Sequence, residues 1–279
     1  MMPTKAWISA ASVLMFFGSL HAFQRPFREY PGIEYNDFPL PADWQRPAEF
    51  MFARLMYPPF RGRGAFGYDG LAAHGWQKGL SIWTQDYPRA DRHFLQAVRR
   101  LTRIDSRSVE QPVNLDDGDD VYNYPFLYAV QVGQWNLTNS QAAKLRDFIL
   151  RGGFFMGDDF WGTYQWETFS ASMNRVFPES KPVDLNDDSP IFHTVYDLEN
   201  RYQVPGARYL YTGSYEKCQG CPAQWRAISD GEGRIMVGLT VNSDLGDSWE
   251  FADDPHYEER FSALGIRIGV NYIMYAMTH

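Results

Sequence analysis

The side chains in this sequence that could do chemistry are mostly carboxylates, and they gather where hydrophobic runs end. Asp158 and Asp159 close the run GGFFMGDD that starts at Gly152. Asp86, Tyr87 and Asp91 stand in WTQDYPRAD, and Trp135 follows YPFLYAVQV. Asn242, Asp244, Asp247 and Trp249 follow GRIMVGLTV. Clustered carboxyl groups split their pKa values by burial and mutual repulsion, which suits one of them to act as an acid and another as a base. The same acids could instead hydrogen-bond the hydroxyls and amides of a sugar or peptide resting on Trp135, Trp161 and Trp249. Residue types therefore leave two readings open: a ligand-binding cleft lined by this set, or a hydrolase using Asp158 or Asp159. Asp86 and Asp91 also flank a helix start, where carboxylates satisfy free N–H groups without any further role.

Other groups narrow the chemistry. His193, in DDSPIFHTVYDL, is the one histidine placed between an acidic turn and an apolar run, and it joins Asp158 and Asp159 as a catalytic candidate. Asn242, Asp244 and Asp247 resemble a cation-binding loop in composition but lack the twelve-residue calcium pattern, so no metal ligands and no cofactor are assigned. Cys218 and Cys221 are the only cysteines. Their KCQGCP context reads as a small disulfide loop, since a zinc site needs further ligands and no second CxxC is present. There is no GxSxG elbow and no glycine-rich phosphate fingerprint.

The elements that must position these groups alternate along the chain. Strand-like runs fall at Glu49–Tyr57, Gln111–Leu115, Tyr124–Val132, Phe154–Met156 and Gly233–Val241. Helical spacing follows Pro88, then Thr138 or Asn139 up to Arg151, then Trp161–Phe177 and Tyr257–Met277. Gly152 and Gly153 stop the second of these helices. Alternation of this kind predicts a largely parallel sheet covered on both faces, with ligands outside the carboxyl ends of the strands. The stretch between Lys181 and Pro222 is irregular, and the glycine-rich Arg61–Gly79 reads as a long loop.

The chain divides into residues 1–22, 23–48 and 49–279. Lys5, the apolar run Ala6–Leu20 and the small Ala22 make a secretory signal, cleaved or kept as an anchor. Residues 23–48 are rich in proline and aromatics and read as an extended arm, which could drape on the domain or dock on an envelope partner. The expected location is thus exported, periplasmic or extracellular, with no membrane span beyond the signal. A net charge of −8 without a concentrated basic face excludes a nucleic-acid binder.

The segment LTNSQAAKLRDFILRGGFFMGDD resembles the class I glutamine amidotransferase-like superfamily, in its order of capped helix, Gly-Gly stop and strand. The chain is more closely similar to a bacterial domain-of-unknown-function family, numbered forty-one fifty-nine. FARLMY at Arg54, WTQDYPRAD, YPFLY, GGFFMGDDFWG and NYIMYAMTH carry that likeness, which spans Glu49 to His279. It implies a flavodoxin-like three-layer α/β sandwich. The turn that holds the nucleophilic cysteine in amidotransferases is similar in position to Gly157–Asp158–Asp159, where this chain has no thiol. The resemblance therefore implies a protein that does not hydrolyse glutamine through a thiolate.

Overall fold

The apolar runs become strands: β1 (Ala53–Met56), β2 (Gln111–Asn114), β3 (Phe126–Ala129), β4 (Phe154–Phe160), β5 (Val183–Asp184), β6 (Gln224–Ser229) and β7 (Ile235–Val241). They form one sheet in the order β2-β1-β3-β4-β7-β6-β5. The first five in that order run parallel, and β6 and β5 are antiparallel additions. Every residue of β1, β2, β3, β4 and β7 is buried, as strands covered on both faces require. The computed structural model describes residues 26–35, 37–60, 75–215, 218 and 221–279. The expected signal segment 1–22 and residues 61–74 of the glycine-rich loop lie outside the described residues.

Helices cover both faces: α1 (Arg89–Leu101), α2 (Asn139–Leu150), α3 (Gly162–Val176), α4 (Arg208–Thr212), α5 (Leu245–Glu250) and α6 (Glu259–Thr278). On one side Leu145, Phe148, Phe169 and Met173 of α2 and α3 pack with Leu55, Leu127 and Phe155. On the other, Phe94, Trp249, Phe261 and Ile268 of α1, α5 and α6 pack with Phe52, Phe126 and Phe154. Phe154 and Phe155 thus enter opposite cores, the period-2 alternation of a strand. The whole is a mixed, mostly parallel α/β sheet compatible with a three-layer sandwich.

Local chemistry sets the boundaries. Thr138 and Gln141 form a reciprocal capping box at the start of α2. Gly152, at φ 108°, turns the chain out of that helix, and a Cβ on Gly153 would meet the Phe148 ring at 2.4 Å. At one edge of the sheet the Gln111 N–H donates to the Phe52 carbonyl at 2.8 Å, so the next residue, Pro112, faces outward. At the other edge β5 has only two residues.

Two elements next to the clustered acids differ from the expectation. β4 runs past Met156 to Phe160, with a register shift against β7 between Gly157 and Phe160 that takes in Asp158 and Asp159. Such a bulge re-aims side chains at a strand end. The segment holding Asn242, Asp244 and Asp247, which resembles a cation-binding loop in composition, turns into α5 at Leu245, where Asp244 caps the helix by accepting the Asp247 N–H at 2.8 Å.

The arm has no helix or strand over its described residues 26–48 outside position 36. It is held on α1 by Arg92, which donates to the Phe38 carbonyl at 2.7 Å and pairs with Glu29 at 2.5 Å. Its rings pack within the chain, Tyr30 on Trp83 and Phe38 on His93.

Candidate functional site

From β1 the chain goes outward to β2 and then back to β3 on the other side, so the strand order reverses at the β1–β3 boundary. Crevices at such points lie outside the carboxyl ends of the strands. Arg54 of β1 organises this end of the sheet. It donates to both oxygens of Asp91 at 2.7 Å and to the carbonyls of Trp83 and Gln85 at 3.1 Å each. The bidentate pair is fully buried and holds the segment that leads into Asp86.

Asp86 has a left-handed backbone at φ 61°, and its N–H donates to Glu34 Oε2 of the arm at 2.7 Å. Its carboxylate is 1% exposed, and neither oxygen receives a hydrogen bond. A Cβ on Gly246 would fall 2.2 Å from Asp86 Oδ2, so only glycine admits this approach to α5. Asp158 Oδ2 accepts from the Tyr128 hydroxyl (3.0 Å) and from the N–H groups of Leu245 (3.0 Å) and Gly246 (2.9 Å). Its Oδ1, Asp247 Oδ1 and Glu250 Oε2 are buried without donors. Asp247 Oδ2 accepts the Ala207 N–H, and Glu250 Oε1 accepts the Tyr35 hydroxyl.

One oxygen from each of Asp86, Asp244 and Asp247 lies within 4.8 Å of the others, and the same holds for Glu34, Asp86 and Glu250. Asp86 is common to both triples. Burial, followed by the charge of Asp159, pushes Asp158 up to about 7, against the pull of its three donors. Loss of water and the Glu250 charge push Glu34 up to about 7. Burial is the first cause at Asp86, Asp244 and Asp247, all held well above the carboxylate range. The next causes are Asp247 for Asp86, Asp159 for Asp244 and Glu250 for Asp247. Three further residues have left-handed backbones at neighbouring strand ends: Gln131 (φ 51°), Asp159 (φ 51°) and Asn242 (φ 57°). Strain of this kind concentrates at functional sites.

Residues 76–277 match the model of a family described as a domain of unknown function, DUF4159. The chain belongs to the DUF4159 family. No curated protein matches it. The DUF4159 region includes Asp86, Asp158, Asp159, Asp244, Asp247 and Glu250, whereas Arg54 and Glu34 precede it.

The sequence-derived candidates divide into those the structure gathers and those it does not. Asp86, Asp158, Asp244 and Asp247 come together. Asp159 sits beside them, accepting from Trp161 Nε1 at 2.6 Å and from the Gln131 side chain. Asp91 is spent on Arg54. Tyr87 is buried, its hydroxyl accepting the Tyr30 N–H at 3.2 Å, which ties the arm down. Asn242 joins two loops by accepting the Gly162 N–H (2.9 Å) and donating to the Pro222 carbonyl (3.0 Å). Trp135 is stacked between Phe155 and Phe169, with centroids at 5.6 and 5.4 Å, and Trp249 is stacked on Phe94 at 4.2 Å. Both are fully buried core side chains, and Trp161 is buried too. His193 is exposed and engaged with Asp197 (2.9 Å) and the Asp187 carbonyl (2.8 Å), away from any clustered acid. Cys218 and Cys221 are paired, their Cα atoms 5.4 Å apart.

Glu34 and Glu250 belong to the cluster and were missed in the sequence. Glu250 carried a usable signal, since Asp244, Asp247 and Glu250 recur every three residues and so share a helix face. Glu34 carried none, standing in a stretch without period.

Proposed function

We propose that this chain is a ligand-binding protein of the bacterial cell envelope that captures a positively charged ligand at its buried acidic cluster, and that it is not an amidotransferase. The observation that carries the reading is Asp86, a buried carboxylate without a donor, surrounded by further carboxylates. Burying charge of one sign without a partner is costly, and such perturbed groups cluster at functional sites. The charges of Arg89 and Arg54 offset part of that on Glu250, but the Arg54 fork is taken by Asp91 and gives Asp86 no hydrogen bond. Export rests on Lys5 and the apolar segment after it. The parallel order β2-β1-β3-β4 supports the flavodoxin-like, class I glutamine amidotransferase-like class. So does the left-handed backbone of Asp159 at the end of β4, the turn where the resemblance places a nucleophile. A carboxylate stands there in place of a thiol.

Melting of the purified chain with spermidine, with chloride salts of divalent metals and with a neutral sugar tests the reading. A bound cation raises the melting temperature by mass action, and Asp247→Asn weakens that rise. Stabilisation by the neutral sugar alone would overturn the charge-based reading. The burial and Asp159 charge that push Asp158 up to about 7 favour a hydrolase as the second reading, since a general acid works best near that value. Hydrolysis of polar esters or glycosides that is lost in Asp158→Asn and kept in Asp247→Asn would favour it.

A further inference from the structure

We propose that Asp86, Asp244 and Asp247 form the binding site of one divalent, oxygen-preferring metal ion of the calcium, magnesium or manganese class. This rests on the cationic-ligand reading above and names the ligand. Three features carry it independently of the acidity of the cluster.

The first is span. A calcium-sized ion with oxygens at about 2.3–2.6 Å is about 4.6–5.2 Å across its ligand shell. Three oxygens that all lie within 4.8 Å of one another are close enough to share one such shell. The second is free ligand capacity. Both Asp86 oxygens and Asp247 Oδ1 are buried and receive no hydrogen bond, as is true of Asp158 Oδ1 and Glu250 Oε2 beside them, while Asp244 Oδ1 accepts the Asp247 N–H and Asp247 Oδ2 the Ala207 N–H. Asp86 is 1% exposed and Asp247 5% exposed, so bulk water does not supply the missing donors. The third is preorganisation. The Glu34 contact to its N–H fixes Asp86 from the arm side, and Gly246 lets the carboxylate reach α5. Asp244 and Asp247 lie one turn apart on that helix and its cap, tied by the Asp247 N–H. The donor set is all carboxylate, without histidine or thiolate, which selects hard cations over zinc or copper. Glu250 and Glu34, the other triple sharing Asp86, would then lie across the ion's far side and accept its bound waters.

The rival is a cluster held together by shared protons, and the two respond differently to metal. The purified chain would be stripped with chelator and titrated with terbium, using emission sensitised by Tyr128 and Trp249, whose rings lie 5.3 Å apart beside the site. Calcium, magnesium and manganese would then compete separately, and melting would be followed in parallel with spermidine as the organic-cation arm. The expected result is one terbium per chain, displaced by at least one of the three metals. That metal should raise the melting temperature by roughly 5–10 °C at a hundredfold excess over Kd. Asp86→Asn and Asp247→Asn should each lose both effects, while Asp184→Asn on β5 keeps them. Both variants remove repulsion, so they should melt no lower than the parent without metal; circular dichroism would verify the fold. Sensitised emission kept in both variants, or no shift with any metal, overturns the inference. If spermidine alone stabilises, the metal inference falls and the cationic-ligand reading stands. If neither stabilises, both fall.

Discussion

Arg54→Met is the substitution whose cost follows most directly from the geometry. Methionine keeps much of the aliphatic volume but removes the charge and all four hydrogen bonds. Asp91, fully buried, is left without its partner, and the carbonyls of Trp83 and Gln85 lose a donor each. Breaking a buried ion pair from one side costs about 3–5 kcal/mol. In a domain of this size that lowers the melting temperature by roughly 6–20 °C, at about 2–4 °C per kcal/mol. Urea unfolding followed by the fluorescence of the nine tryptophans gives the number, with the m-value as a check that the transition is otherwise unchanged. The double variant Arg54→Met with Asp91→Leu should recover most of the loss, because a hydrophobic pair of similar volume often matches a buried salt bridge. An Arg54→Met chain within about 1 kcal/mol of the parent would refute the view that this pair anchors the Asp86 segment.

Gly246→Ala drives a methyl to 2.2 Å from the Asp86 carboxylate, so stability should fall by about 1–3 kcal/mol, as for an overpacked core, and cation binding should vanish with it in the same melting assay. Asp158 has a folded pKa of about 7 against an ordinary 3.8, so the fold favours its protonated form. Its contribution is fully present below about pH 4 and is lost as pH rises through 7. In chelator the chain should therefore be a few kcal/mol more stable at pH 5 than at pH 8, a slope reduced in Asp158→Asn and measured by urea melts at each pH. Thr138→Ala removes the capping box of α2 and should cost about 1 kcal/mol without touching cation binding.

The frame of the molecule was legible because its long elements carry strong periodic or capping signals. The runs that became β1, β3 and β7 are largely apolar, broken in β1 only by Arg54, and α1, α2, α3 and α6 have clear apolar faces. β6 was hidden because QWRAIS is short and follows a proline-bearing loop, and it gains its place only by pairing antiparallel with β7. The site was half legible. Asp86, Asp158, Asp244 and Asp247 stood out because acids after apolar runs need a reason. Their separate tasks did not, since Asp158 meets Tyr128 across 30 residues of chain and Leu245 across 87. The tryptophans misled for a physical reason: a large ring near a strand end serves the core as readily as a ligand.

The two borders of the sheet carry a consequence for how copies of this chain meet. At β2 the outward position belongs to Pro112, which has no amide hydrogen to offer an incoming strand. At β5 the last ladder is two residues long, and Asp184 is tied to Arg226 at 2.8 Å. Short, charged or proline-bearing borders are how native sheets resist edge-to-edge aggregation. Among the described residues neither border offers an incoming strand a long run of free amide hydrogens, so copies of this chain gain little by continuing the ladder.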